Sequence, residues 1–333
     1  MVSHLSYTTT VKKLQSKTLA LLFLFFPFLT LAQHDTLTFT PHWLPQAQFA
    51  GYYMAQKMGF YEQENLVVNI EHPSASINAT TKLADHEADV ISLFLVTAIT
   101  ARDQGVNLVN IGQTSQQSAL LFITKKEHNI KTISDLNGKK IGIWKSGFDE
   151  IPKALIDNNN CSVEWVPILS TVNLFLIGGI DAMTVMWYNE YDVIVNSGFD
   201  PNELNPVFIS DYGYNVPEDG LYCLNETLQT KKETLKRFVK ASMKGWDYAA
   251  LHREETLDTV MALMKRKHIP SNRSHQAWML DRIIELQVPD EKSTIKGELV
   301  EKDYKLTQQI LLNGNYIKTK IPFSDFHTPL LLK

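Results

Sequence analysis

From Leu37 onward the chain alternates short apolar runs with longer amphipathic segments, and this alternation limits the possible folds more than any other feature of the sequence. Leu37–Thr40, Val67–Ile70, Asp89–Leu93, Leu108–Ile111 and Leu120–Thr124 read as strands. Gln46–Met58, Ala75–Asp85 and Val96–Gln104 read as the helices between them, two of them stopped by Gly59 and Gly105. Such alternation predicts βαβ units and a largely parallel sheet. A second set follows, with strands at Lys140–Trp144, Val163–Val166 and Ala182–Trp187 and helices at Glu150–Asp157 and Val172–Ile177. Gly178-Gly179 supplies the positive φ that a helix end favours. Val207–Ile209 and Leu221–Leu224 read as strands returning to the first set. Beyond Leu228 the spacing of Leu235, Phe238, Val239, Ser242, Trp246 and Ala249 marks one face of a long helix, with further helices at Thr256–Lys267 and Ser274–Leu286. Two α/β sets without a flexible linker predict two lobes with a binding cleft between them.

The N-terminus has a different character. Lys12, Lys13 and Lys17 precede the apolar run that starts at Leu19, and Ala32 ends the segment. A cationic region, a short apolar core and a small residue predict a signal peptide over residues 1–32, cleaved near Ala32, and therefore an exported, periplasmic protein. The apolar run is too short to span a bilayer and Pro27 interrupts it. Cleavage would move the formal net charge from −4 to −7, because the segment carries three Lys and no acid. An acidic chain lacks the clustered cations that nucleic-acid binding requires. Cys161 and Cys223 are too few for a disulfide framework or a multi-thiolate metal site. Two buried, inert thiols are expected.

Nucleotide-binding glycine motifs and the Gly-x-Ser-x-Gly elbow are absent. His42, His72 and His86 read as surface or structural residues rather than metal ligands. No metal and no cofactor are expected. The informative residues are aromatics and amides in segments that follow strands, where α/β sheets bind their ligands. Trp43, Gln46, Gln48, Tyr52 and Tyr53 lie between the first strand and the first helix. Trp187, Asn189 and Glu190 follow a strand of the second set, and Gln113 and Tyr222 fall near the expected crossings between lobes. Amides and a carboxylate beside rings suit a flat, nitrogen-rich solute, and these ten residues are the candidate ligand-binding set.

These same residues carry a resemblance. Trp43–Tyr53, Ala55–Leu66, Asp89–Gly105, Ile133–Gly142, Gly179–Ala182 and Trp187–Glu190 are similar to segments of the periplasmic substrate-binding proteins related to thiamine-pyrimidine biosynthesis proteins, over most of residues 36–290. The resemblance implies an α/β, type II periplasmic-binding-protein fold: two α/β lobes, residues 33–123 with 212–333 and residues 124–211, around an interlobe cleft. It implies a monomeric extracytoplasmic binder that passes a thiamine pyrimidine precursor, such as an aminopyrimidine, to an ABC permease. In that setting aromatics sandwich the ring and a carboxylate meets its amino edge, roles that fall on Trp43 and Glu190. A soluble input module for a membrane sensor kinase is the alternative. The same family includes a eukaryotic pyrimidine synthase whose cofactor lysine and sacrificial histidine align with Leu93 and Thr97 here, so that activity is not expected.

Overall fold

The strands form where β-branched and apolar residues bury on both faces, as parallel sheets covered by helices require. In a computed structural model, which describes residues 34–73, 77–144, 148–169, 171–289 and 295–331, ten strands form two five-stranded sheets. The expected leader, residues 1–32, lies outside the described residues, as does the start of the helix expected from residue 75.

The first sheet contains β1 (Asp35–Thr40), β2 (Leu66–Ile70), β3 (Val90–Phe94), β4 (Leu108–Gln113) and β10 (Asp219–Leu224) in the order β2-β1-β3-β10-β4. The second contains β5 (Leu120–Lys125), β6 (Lys140–Trp144), β7 (Glu164–Ile168), β8 (Ala182–Met186) and β9 (Leu204–Phe208) in the order β7-β6-β8-β5-β9. The two orders are the same pattern. In each, four strands run in one direction, and one strand arriving from the other sheet is inserted antiparallel: β10 against β3 and β4, β5 against β8 and β9. The strand expected at Val207–Ile209 does not return to the first sheet. It is β9, displaced toward its N-terminal side, and it pairs with β5 in the second sheet; only β10 returns. Alternation of apolar residues identifies a strand but does not say which sheet it joins.

Among the described residues twelve α-helices connect and cover the sheets: α1 (Ala50–Lys57), α2 (Phe60–Gln63), α3 (Ala79–Ala84), α4 (Leu95–Asp103), α5 (Glu150–Asn158), α6 (Asn173–Leu176), α7 (Glu190–Asn196), α8 (Asn225–Leu251), α9 (Arg253–Arg266), α10 (Arg273–Leu286), α11 (Glu301–Asn313) and α12 (Phe323–Phe326). No described helix is long and apolar enough to cross a membrane. The long α8 packs lengthwise on α1. The contact is close because glycines face each other: a Cβ on Gly245 would fall on the Gly51 carbonyl oxygen, and one on Gly51 would enter the Trp246 ring. Gly178 holds φ +76 after α6, the helix stop expected from the sequence. Both cysteines are free. Cys223 is buried and burial pushes its thiol up, whereas Cys161, expected to be buried, is half-exposed after the turn that follows α5.

Candidate functional site at the junction of the sheets

Both crossing strands enter their new sheets at the same end. Asp219 opens β10 opposite Phe94, the last residue of β3, and Leu120 opens β5 opposite Met186, the last residue of β8. The C-terminal ends of the parallel strands therefore meet the two crossings, and polar side chains gather there.

On the first-sheet side the chain leaves β1 through Pro41 and His42 and makes a short 3₁₀ turn, Ala47–Phe49, before α1. That turn is fixed by the Ala47 N–H, which donates to the Gln276 side-chain oxygen on α10 (2.7 Å). It aims the buried Gln48 side chain into the junction. Gln48 Nε2 donates to the Asp219 carboxyl (3.0 Å to Oδ2) and lies 3.3 Å from the Tyr188 hydroxyl, while Gln46 Nε2 donates to Gln48 Oε1 (2.6 Å). His42 is held by Ser92, whose hydroxyl lies 2.9 Å from Nδ1, and its ring packs against Phe94 at 4.4 Å between centroids. Phe94 in turn meets Phe148 edge-on at 4.1 Å. Phe148 stands just before α5 with φ +70, a conformation bulky residues rarely take. Gln48–Tyr188 and Phe94–Phe148 thus join the end of one sheet to the end of the other.

The carboxyls here are shaped by burial. Asp219 is 5% exposed, and desolvation pushes it up to about 7 against the opposing effect of the Gln48 hydrogen bond. Its neighbour Glu218 is pushed up to about 8 by the same cause, although Ser118 Oγ and the Ala119 N–H both donate to it at 2.9 Å. Burial holds His42 down at about 3, so it is neutral, and its Nδ1 stands 3.5 Å from Asp219 Oδ1. Among the described residues no Lys or Arg forms an ion pair or hydrogen bond with this cluster.

On the second-sheet side, Trp187, Asn189 and Glu190 build a shoulder joined to α10. Glu190 accepts the Met186 N–H (2.9 Å) and the Asn189 side-chain N–H (2.8 Å), so both of its oxygens hold internal bonds; desolvation raises it. Asn272 caps α10 by accepting the Ser274 N–H, which places His275 in the first turn. His275 bonds Asp192 (2.7 Å) and Asn189 (3.1 Å), and Trp278 Nε1 donates to the Trp187 carbonyl (2.9 Å). The Trp187 ring is enclosed by Tyr191, Phe208 and Trp278.

Of the ten candidate residues, Gln48 of the first-sheet side reaches the second-sheet side, at Tyr188, and Gln46 bonds to Gln48. Trp43 is 52% exposed; its carbonyl accepts from His72 Nδ1 (2.6 Å), and His72 Nε2 accepts from the Tyr53 hydroxyl (2.9 Å). No ring contact joins Trp43 to Trp187. Tyr52 and Tyr222 are buried in the first-sheet core, Tyr52 against Phe39 and Trp246 and Tyr222 against Phe326. Gln113, also buried, donates to the Glu218 carbonyl. The ten-residue set leaves out Asp219, Glu218, Tyr188, Phe94 and Phe148. A signal did exist for two of them: Glu218-Asp219 is a pair of acids directly before the apolar run Leu221–Leu224, at an expected crossing.

The family described as "NMT1/THI5 like" matches residues 46–256, well over half of the chain and including both sides of the junction. The chain belongs to the NMT1/THI5-like family. A thiamine biosynthesis protein of Haemophilus influenzae is 24% identical over 245 residues, 71% of this chain and 76% of that protein. The formylaminopyrimidine-binding protein of Halalkalibacterium halodurans is 23% identical over 243 residues, 71% of this chain and 73% of its own. The 4-amino-5-hydroxymethyl-2-methylpyrimidine phosphate synthase of Schizosaccharomyces pombe matches at 24% over 108 residues, about a third of either chain. Among solved structures, the periplasmic aliphatic sulphonate binding protein SsuA of Escherichia coli superposes with a TM-score of 0.68 at 14% identity, covering 88% of this chain and 97% of that one. The architecture is the α/β, type II periplasmic-binding-protein fold.

Proposed function

We propose that this chain is an extracytoplasmic solute-binding protein that captures a small planar N-heterocycle of the aminopyrimidine class and delivers it unchanged to an ABC-type permease. The observation that carries this reading is the Gln48–Tyr188 approach across the junction, made beside the buried Asp219 carboxyl. On this reading the contact belongs to the closed arrangement of the two halves, and closure excludes water and strengthens hydrogen bonds inside. Half-buried Phe94 and Phe148 supply apolar ring surface at the same place. The names of the full-length relatives, one for thiamine biosynthesis and one for formylaminopyrimidine binding, favour a pyrimidine over the sulphonate of the structural neighbour. A synthase reading gains nothing from the site. Leu93 is buried in β3 and Thr97 follows in α4, and neither can form a Schiff base or give up an imidazole.

The test is calorimetry on the exported chain with 4-amino-5-hydroxymethyl-2-methylpyrimidine, thiamine, riboflavin and ethanesulfonate. The aminopyrimidine is expected to bind at micromolar Kd or better, about −8 kcal/mol. Tighter binding of ethanesulfonate, or turnover of the pyrimidine, would overturn the reading. Copurification from membranes with a permease rather than a sensor kinase tests the partner.

A further inference from the structure

We propose that Asp219 meets its ligand as a neutral carboxylic acid, its O–H and C=O forming a donor–acceptor edge that pairs with a ring nitrogen and an adjacent N–H of the heterocycle. This rests on the binding-protein reading above and names the chemical edge that the site selects.

The geometry comes first. A carboxyl group offers about four acceptor positions, and buried ones are normally filled by donors or a cation. Asp219 is almost wholly buried, yet among the described residues a single donor group reaches its carboxyl, Gln48 Nε2, chiefly on Oδ2. The contrast with its neighbours is informative. Glu218 is bonded by Ser118 and Ala119, and Glu190 by Met186 and Asn189. Of the three, Asp219 has the fewest donors and so the most unused acceptor capacity. Gln48 Nε2 lies closer to Oδ2 (3.0 Å) than to Oδ1 (3.3 Å), which favours the proton on Oδ1, on the side of His42.

No charge around Asp219 favours its anion. The titratable groups facing it are His42 beyond β1, Tyr52 on α1, Tyr188 beyond β8, and Glu218 and Tyr222 along its own strand, with Glu190 next to Tyr188. His42 is neutral, the three tyrosines are raised by burial, and the two glutamates can only repel a second negative charge. Desolvation without a compensating cation keeps a carboxyl protonated. A neutral acid is complementary to a neutral aminopyrimidine edge, where a ring nitrogen accepts and the neighbouring amine donates. A sulfonate has no N–H to give to the acid's carbonyl.

The experiment is a calorimetric titration of 4-amino-5-hydroxymethyl-2-methylpyrimidine into the wild-type chain at pH 7 and pH 8.5, repeated with Asp219→Asn and Asp219→Ala. With Asp219 at about 7, the acid fraction falls about fifteenfold over that interval, so the wild-type Kd rises by about that factor. Asparagine reproduces the donor–acceptor edge without titrating. Asp219→Asn is therefore expected to bind within about threefold of wild type at pH 7 and to keep that Kd at pH 8.5, while Asp219→Ala loses at least tenfold. A wild-type Kd that is flat or improves toward pH 8.5 overturns the proposal and needs no variant. A folded Asp219→Asn that binds tenfold more weakly at pH 7 also overturns it, because the carboxylate would then be the binding form. Heterocycle binding with neither signature leaves the binding-protein reading standing and removes only this one; no heterocycle binding at either pH removes both.

Discussion

Replacing Gln48 with alanine is the perturbation that the junction geometry prices most directly. Three interactions end with the side chain: the bond to Asp219, the approach to the Tyr188 hydroxyl, and the acceptance of the Gln46 N–H. Gln46 is half-buried and recovers water, so its loss is small. Tyr188 is 3% exposed, and a buried hydroxyl deprived of its partner forfeits about 1 kcal/mol. Asp219 loses the one donor that reaches it, and an unsatisfied buried group costs about 1–3 kcal/mol. Both losses fall on the closed state, since an open junction rehydrates Tyr188 and Asp219. The closed form is therefore disfavoured by about 2–4 kcal/mol, and if only that form binds, the apparent Kd rises roughly 30- to 1,000-fold. Calorimetry gives the Kd and small-angle scattering with ligand gives the degree of closure. Gln46→Ala is the control, expected to change Kd by less than about fivefold. A Gln48→Ala protein that binds within threefold of wild type and closes normally would show that the bridge across the junction is incidental to binding.

Two further outcomes follow from burial and from packing. Glu218 and Asp219 sit at about 8 and about 7 when folded, against roughly 4 when unfolded, so from about pH 4 to 8 the unfolded chain releases protons that the folded chain keeps. Stability from these two groups is thus greatest at low pH and is lost as pH rises; thermal unfolding without ligand should show Tm falling from pH 5 to 8, more steeply in wild type than in Glu218→Gln/Asp219→Asn. Gly245→Ala places a methyl on the Gly51 carbonyl and within 2.8 Å of the Ala55 amide nitrogen, forcing α8 away from α1 at a cost of about 1–3 kcal/mol, seen as a Tm lower by several degrees. An unchanged Tm would mean that the two helices separate freely.

What could be read from the sequence was whatever depends on neighbours along the chain. Lys140–Trp144 is a strand with those limits because its apolar residues are flanked by Gly138 and by polar residues. The helices at Glu150, Arg253 and Arg273 start within a few residues of their expected positions for similar local reasons. The site was legible only in part. Gln46 and Gln48 could be singled out because they follow β1, where a ligand is expected. Tyr52 and Tyr222 could not be told from ligand-facing rings, since ring chemistry is the same in a core and at a site. Which of Glu190 and Asp219 retains acceptor capacity depends on the donors reaching each one. Asn189 and the Met186 N–H lie beside Glu190 in the chain, but Gln48 is 171 residues from Asp219.

The repeated strand order explains why the acids lie where they do. A strand that joins a parallel sheet antiparallel begins at the end where its neighbours finish. Because β5 and β10 both arrive in this way, the residues that open them stand beside the last residues of β8 and β3. The crossings also tie the halves together: Glu218, just before β10, accepts from Ser118 and Ala119, just before β5. On the proposed reading, relative motion of the two sheets would bend the chain at these two segments, Glu218 lying on one of them and Asp219 opening β10 next to it. On that reading a proton on Asp219 would act where hinge and ligand share a boundary. The pH dependence of binding and the pH dependence of closure should consequently move together in scattering and calorimetry, and a pH change that altered one without the other would separate the pivot from the site.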